Sequence, residues 1–220
     1  VNRGRGWNDY ATHLRSAYRA STTPNQGMSN IGFRIARNGD NNSNTSVVSD
    51  TNRDLQTQTD GNILIAYFSW SGNTENAAQI IQEKTGADII ELNPVEPYSS
   101  NYNEVLDQAQ EDMNNDARPE LANHVENMEQ YDTILLGYPN WWATIPMPVA
   151  SFLEEYDFSG KTIIPFCSHG GGGFGQSITD ISKLAPNSRI GEGLSIHYSG
   201  GSSLENDISN WLSANGISEN

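Results

Sequence analysis

The chain has 220 residues, with 27 Asp or Glu against 12 Lys or Arg and a formal net charge of −15. That balance excludes nucleic acid and anionic membrane as surfaces it would seek, and it favours macromolecular partners with basic faces. A single cysteine, Cys167, rules out an internal disulfide and a cysteine-based metal site, and no apolar run reaches the ~18–20 residues of a membrane-inserted helix.

Residues 1–38 are basic, aromatic and irregular. Val1-Asn2-Arg3-Gly4-Arg5-Gly6-Trp7 is followed by Ala17-Tyr18-Arg19 and then by Asn30-Ile31-Gly32-Phe33-Arg34. These elements resemble the closing stretch of the formylglycine-generating-enzyme (sulfatase-modifying factor) fold. That family ends in an Arg-Gly-x-x-Trp/Tyr element, an Ala-x-Arg-like element and a Gly-Phe-Arg strand. The oxygen-dependent members carry two catalytic cysteines where this chain has Asp9 and Leu14, so the resemblance does not imply their activity. So short a segment with so few large apolar side chains cannot bury a core of its own. It reads as a domain remnant, either disordered or docked loosely on its neighbour.

Residues 39–60 read as a polar, disordered linker. Val47, Val48 and Leu55 are its only sizeable apolar side chains, too few to offset the entropy of ordering it. The charge changes sign across this boundary. Residues 1–60 hold seven Arg against five Asp, net +2, and residues 61–220 carry net −17.

Residues 61–216 alternate apolar strand patterns with helical ones, which predicts an α/β domain with helices on both faces of a parallel sheet. The expected strands are Ile63–Ser69, Asp88–Leu92, Thr133–Gly137, Thr162–Cys167 and Gly193–His197, mostly continuous in apolar character, as doubly covered strands must be. Thr74, Ala77, Ala78 and Ile81 form the buried stripe of a first helix. Leu204, Ile208, Trp211 and Leu212 form that of the last, and residues 101–115 make an acidic helix between them.

Ligands of open parallel sheets sit beyond the carboxyl ends of the strands. Three loops fall there. The first, Ser69-Trp70-Ser71-Gly72-Asn73-Thr74, joins a strand directly to a helix N-terminus. Free helix amides and hydroxyls there bind a phosphate without any lysine or arginine, although the same residue types also make ordinary helix caps. The second, Pro139-Asn140-Trp141-Trp142-Ala143, places adjacent tryptophans in a polar loop, where a flat ligand would cover them unless both pack on the helix that follows. Spacing does not decide which of the two rings would stack. The third, Ser168-His169-Gly170-Gly171-Gly172-Gly173, lets backbone approach a ligand closely, or is a plain surface loop. Tyr98 and Tyr102 either rim this region or pack at the surface. Cys167 reads as a small buried hydrophobe, and no histidine has ligand-spaced partners, so no metal is assigned.

The run Ser69-x-Ser71-Gly72-Asn73-Thr74 resembles the FMN-phosphate loop of flavodoxins, and the match extends over residues 61–213. It implies a three-layer fold with a five-stranded parallel sheet in the order 2-1-3-4-5, of which flavodoxin is the standard example. It also implies FMN as cofactor, with its phosphate on residues 69–74 and its ring among the second and third loops. Asn140, Ser168, His169, Gly170 and Gly171 are then ring contacts, and His169 is either a titrating group beside the reduced ring or a plain hydrogen-bonding residue.

The function expected is electron transfer between redox proteins with basic surfaces. The acidic surroundings would make the last electron hard to add. Alternatives are an NAD(P)H-dependent reductase of quinones or other small acceptors and, more distantly, a non-redox binding module. The cytoplasm is the expected compartment, with export left open because the chain begins at Val1.

Overall fold

The structure, a computed structural model, describes residues 62–220 together with two short strands, Asn2–Arg3 and Arg19–Ala20, which pair antiparallel. The chain divides into two units, residues 1–53 and 54–220. Apart from those four residues, the remnant expected over residues 1–38 and the linker expected over 39–60 lie outside the described residues.

The second unit is built on one parallel sheet. Strand β1 spans Asn62–Tyr67, β2 Asp88–Glu91, β3 Tyr131–Pro139 and β4 Thr162–His169. The fifth position is filled in two pieces, β5 (Arg189–Ile190) and β6 (Leu194–His197), both parallel to β4. The order is β2-β1-β3-β4, with β5 and β6 together at the far edge. This is the 2-1-3-4-5 arrangement expected from the sequence, and it puts the carboxyl ends of β1, β3 and β4 side by side.

Alternation along the strands feeds two cores. Leu64, Ala66, Ile134, Leu136, Ile163 and Cys167 face one way, and Ile65, Tyr67, Leu135, Ile164, Phe166 and Ile196 the other. Helices α1 (Asn73–Thr85) and α5 (Leu204–Ala214) cover the second face with Ala77, Ala78, Ile81, Ile208, Trp211 and Leu212. Helices α3 (Met147–Glu155) and α4 (Ser177–Leu184) cover the first with Val149, Phe152, Leu153 and Ile181. Helices thus lie on both faces, because a parallel sheet needs both sides dry.

Helix α2, Tyr102–Asn114, is the acidic one. Asn101 caps it, its side-chain oxygen accepting from the amides of Asn103 at 3.0 Å and Glu104 at 3.4 Å. Only Val105 and Ala109 of this helix are buried. No helix among the described residues is long and apolar enough to cross a membrane.

The break between β5 and β6 has a clear cause. Asn215, at the end of α5, accepts from the Glu192 amide at 2.9 Å, and its own amide nitrogen donates to the Glu192 carbonyl at 3.0 Å. Trp211 Nε1 donates to the same carbonyl at 2.6 Å. Groups from the helix thus replace the ladder at Glu192, and the strand resumes two residues later. The expected strand over Gly193–His197 is β6. The preceding two-residue piece has no sequence period long enough to announce it.

Candidate functional site

The carboxyl ends of β1, β3 and β4, with the start of α2, enclose a cleft of about 430 Å³. That is large enough for a small-molecule cofactor. Ser71 and Asn73 stand at one end, and Trp142, His169 and Tyr198 also border the cleft.

Helix α1 begins at Gly72, whose φ of 83° is a left-handed conformation that glycine adopts without strain. The cap makes no side-chain hydrogen bond. In the first turn, Ser69 Oγ takes the amide of Glu75 at 3.2 Å and the Gly72 carbonyl takes that of Asn76 at 2.9 Å. The amides of Asn73 and Thr74 have no acceptor within the helix. Ser69 thus caps one amide of this turn, as the ordinary capping reading expects, while those of Asn73 and Thr74 stay open. Thr74 is turned inward, its hydroxyl 2.9 Å from that of Ser168, so a buried hydrogen bond joins the first loop to the third.

The second loop is a tight turn. Trp141 and Thr144 exchange backbone hydrogen bonds at 3.0 and 3.2 Å, and the two central residues, Trp142 and Ala143, have φ of 49° and 63°. Both central residues lie in the left-handed region, as a type I′ turn requires, though neither is glycine. Strain of this kind persists only where neighbours enforce it. Here Gln176 N–H donates to the Ala143 carbonyl at 2.7 Å, the Thr144 hydroxyl donates to Asp180 at 2.6 Å, and Trp142 Nε1 donates to the Leu106 carbonyl of α2 at 3.1 Å. At the third loop, a Cβ on Gly175 would collide with the Ala143 backbone, so the two loops meet in direct contact.

The turn separates the two tryptophans. Trp141 packs edge-on against Phe68 and Tyr98, with ring centroids 5.2 and 5.1 Å away. Trp142 is 44 % exposed at the cleft. Trp70 also borders the cleft, its indole N–H donating to the Ser99 carbonyl at 2.9 Å.

Asn140 ties the second loop to the third. Its amide nitrogen donates to the Gly173 carbonyl at 2.6 Å, and its backbone N–H to the Ser168 carbonyl at 2.8 Å. Its side-chain oxygen is buried with no hydrogen-bond partner among the described residues. A buried acceptor left unpaired costs about 1–3 kcal/mol, a penalty that a donor on a bound ligand would remove.

His169 is held at both nitrogens. Nδ1 accepts from the Gly171 amide at 2.9 Å, and Nε2 lies 2.8 Å from Ser195 Oγ on β6. Partial burial and the neighbouring His197 both push its pKa below the usual histidine value. The imidazole is therefore neutral at neutral pH, which favours the hydrogen-bonding reading over the titrating one there. Burial pushes the Cys167 thiol up to about 12, so at neutral pH it is an inert packing group.

Of the residues singled out from sequence, Trp70, Ser71, Asn73, Pro139, Asn140, Trp141, Trp142, Ser168, His169 and Gly170 border the cleft. Ser69 and Thr74 support it from behind through the bonds just described. Gly72 lies on the adjoining surface beside Ser199 and Gly201, Ala143 anchors the turn through its carbonyl, and Gly171 is bound to His169. Tyr102 borders the cleft, whereas Tyr98 packs under Trp141 and donates to Asp112 at 2.6 Å. Val105, Leu106 and Ala109 of α2, and Tyr198 just past β6, also line it and were not foreseen. Tyr198 is 59 % exposed and has φ of 51°, a second strained aromatic at the same opening.

These features fit a ligand that combines a phosphate with a flat ring. A helix N-terminus with two open amides and no cationic side chain, an exposed indole and an orphaned buried acceptor meet in one cleft.

The sequence profile of a family described as flavodoxin matches residues 62–215. A solved structure of an inferred flavoprotein from Bacteroides eggerthii DSM 20697 is 31% identical, covers 72% of this chain and 99% of its own, and superposes with a TM-score of 0.64. A flavoprotein in complex with FMN from Lactobacillus acidophilus NCFM covers 69% of this chain and 98% of its own, with a TM-score of 0.54; at 19% identity that likeness is one of fold alone. Flavodoxin 1 of Escherichia coli (strain K12) is 29% identical over 106 residues, 46% of each protein. The chain spans about half the length of the curated relatives it matches.

Proposed function

The chain belongs to the flavodoxin family, and on that premise we propose that it binds FMN in the cleft and carries electrons between redox proteins. The observation that carries this reading is that a cation-free helix start and the exposed ring of Trp142 border one cleft of about 430 Å³.

When bound, FMN supplies the redox centre, taking up and passing on electrons. The chain's own residues do the rest. The open amides at the start of α1, with the Ser71 hydroxyl and the positive end of the helix dipole, hold the phosphate. Trp142 covers the ring and excludes water from it, with Tyr198 and Tyr102 standing at the same opening. Asn140, whose side-chain oxygen is buried without a partner, would offer an acceptor to a ring N–H, and the loop at Gly170 would border the ring. Helix α2 borders the cleft with Tyr102, Val105, Leu106 and Ala109, while its carboxylates Glu104, Asp107 and Glu111 stand on the other side of the same helix. The net −17 of residues 61–220 disfavours further negative charge on a bound ring and would lower the potential at which the last electron is accepted.

The same acidic surface selects redox partners with basic faces and steers their approach.

The test is reconstitution followed by a nicotinamide assay. The expected result is one FMN retained per chain, with NADH and NADPH oxidised no faster than by free flavin. Steady multiple-turnover oxidation of either nicotinamide would replace this reading with that of a reductase acting on a small acceptor.

A further inference from the structure

The glycine loop after β4 is anchored unevenly. Its far half is tied by several groups: Asn140 Nδ2 donates to the Gly173 carbonyl at 2.6 Å, and Ser177 Oγ donates to that of Phe174 at 2.6 Å. Its near half hangs on a single side-chain acceptor among the described residues, His169 Nδ1, which takes the Gly171 amide at 2.9 Å. Because Nδ1 accepts, the ring proton of the neutral imidazole sits on Nε2 and donates to Ser195 Oγ at 2.8 Å. One tautomer thus holds both the loop and the edge strand.

We propose that His169 is a positioning residue that latches the glycine loop at the cleft, and that protonation of its imidazole releases the latch. An imidazolium has a proton on each nitrogen and no acceptor left, so Nδ1–H and the Gly171 N–H become two opposed donors. The near half of the loop then leaves the geometry in which it borders the cleft. The consequence for cofactor affinity rests on the FMN reading above; the latch itself does not.

The surroundings make the neutral form the resting one. From β6, His197 stands 5.6 Å away between ring centroids and Ser195 presents a neutral hydroxyl; beyond His197 lies the Tyr198 phenol, with ring centroids 4.5 Å apart. On its own strand the nearest ionisable group is Cys167, buried and uncharged, and the glycine loop carries none. No carboxylate among the described residues hydrogen-bonds to the ring. The native pKa lies below the ordinary value of about 6.5, so the native state binds fewer protons than the unfolded chain in that window. The latch contributes its full stabilisation above about pH 6.5 and loses it as the pH falls through the depressed native pKa.

The experiment follows the Gly171 amide of the apoprotein by NMR between about pH 8 and pH 5, alongside the imidazole of His169. The expected result is that the two titrate together below about pH 6.5 and that amide exchange at Gly171 rises relative to its neighbours as the latch opens. FMN affinity is then compared in the wild type and in His169→Asn, whose side-chain oxygen accepts a hydrogen bond but does not titrate. The phosphate of FMN titrates near pH 6 as well, so the readout is the difference between the two proteins. Wild-type affinity is expected to fall roughly three- to tenfold more than that of His169→Asn from about pH 7.5 to pH 5.5, the worth of one hydrogen bond. A Gly171 amide indifferent to the state of His169 would overturn the latch, even in a protein that binds no FMN. Equal pH dependence in the two proteins would overturn its link to the cofactor.

Discussion

Trp142 and Ala143 occupy a conformation usually left to Asn-Gly or Gly-Gly, and the contacts around them show what enforces it. The Ala143 backbone lies directly against Gly175, whose own φ is 54°. Replacing Gly175 with alanine would force both loops apart and strain the backbone. Gly175→Ala is expected to cost about 2–3 kcal/mol in urea unfolding, and a loss within error of zero would mean the loops are not in contact. At this scale the sequence was legible where the site is contiguous. The residues from Ser69 to Thr74 announce a strand-to-helix turn at the cleft because hydroxyls, glycine and helix start fall together in six positions. It was not legible which tryptophan leaves its ring exposed and which packs on Phe68 and Tyr98, because a turn without glycine carries no turn signal and either ring satisfies the same spacing. Tyr198 was missed for another reason: it lies 25 residues beyond Gly173, the end of the third loop, and only the parallel pairing of β6 with β4 brings it to the cleft.

At the scale of elements, periodicity served well wherever a helix buries a stripe or a strand is covered on both faces. Helices α1 and α5 and strands β1, β3 and β4 all meet that condition. Periodicity failed at the sheet edge, where β5 has two residues and the chain is carried past Glu192 by Asn215 and Trp211 rather than by a neighbouring strand. It failed again on α2, whose acidic composition gave no sign that Val105, Leu106 and Ala109 line a cleft. The edge makes a testable claim. Asn215→Ala removes the acceptor of the Glu192 amide and one of the two donors to its carbonyl, and is expected to lower stability by about 1–2 kcal/mol. Hydrogen exchange at Glu192 should quicken with it, and protection unchanged at that amide would contradict the assigned role.

For the molecule as a whole, charge is the dominant feature. Residues 61–220 carry net −17, and among the described residues salt bridges such as Arg118 with Glu154 and Lys84 with Glu219 neutralise little of it. Self-repulsion of that size opposes the compact state and is screened by salt over a Debye length of about 10 Å at 0.1 M. The melting temperature of the apoprotein is expected to rise as sodium chloride is raised from about 0.01 M to 0.15 M, and a fall would show that attractive pairs outweigh the excess. The layer order and the sign of this field were readable from sequence because both follow from composition and pattern. The cleft was only partly so, since it exists through the meeting of three loops, one helix and one edge strand.

The central claim is that these loops form an FMN site closed by Trp142. Its most direct test is an FMN titration of the apoprotein followed by flavin fluorescence, with Trp142→Ala and Trp141→Ala alongside. The account predicts tight, quenched binding, weakened about tenfold or more in Trp142→Ala through lost stacking and burial, while that variant melts close to the wild type. Trp141→Ala should instead lower the melting temperature, because its ring packs on Phe68 and Tyr98. No quenching at micromolar FMN, or equal affinity in the wild type and Trp142→Ala, would contradict it.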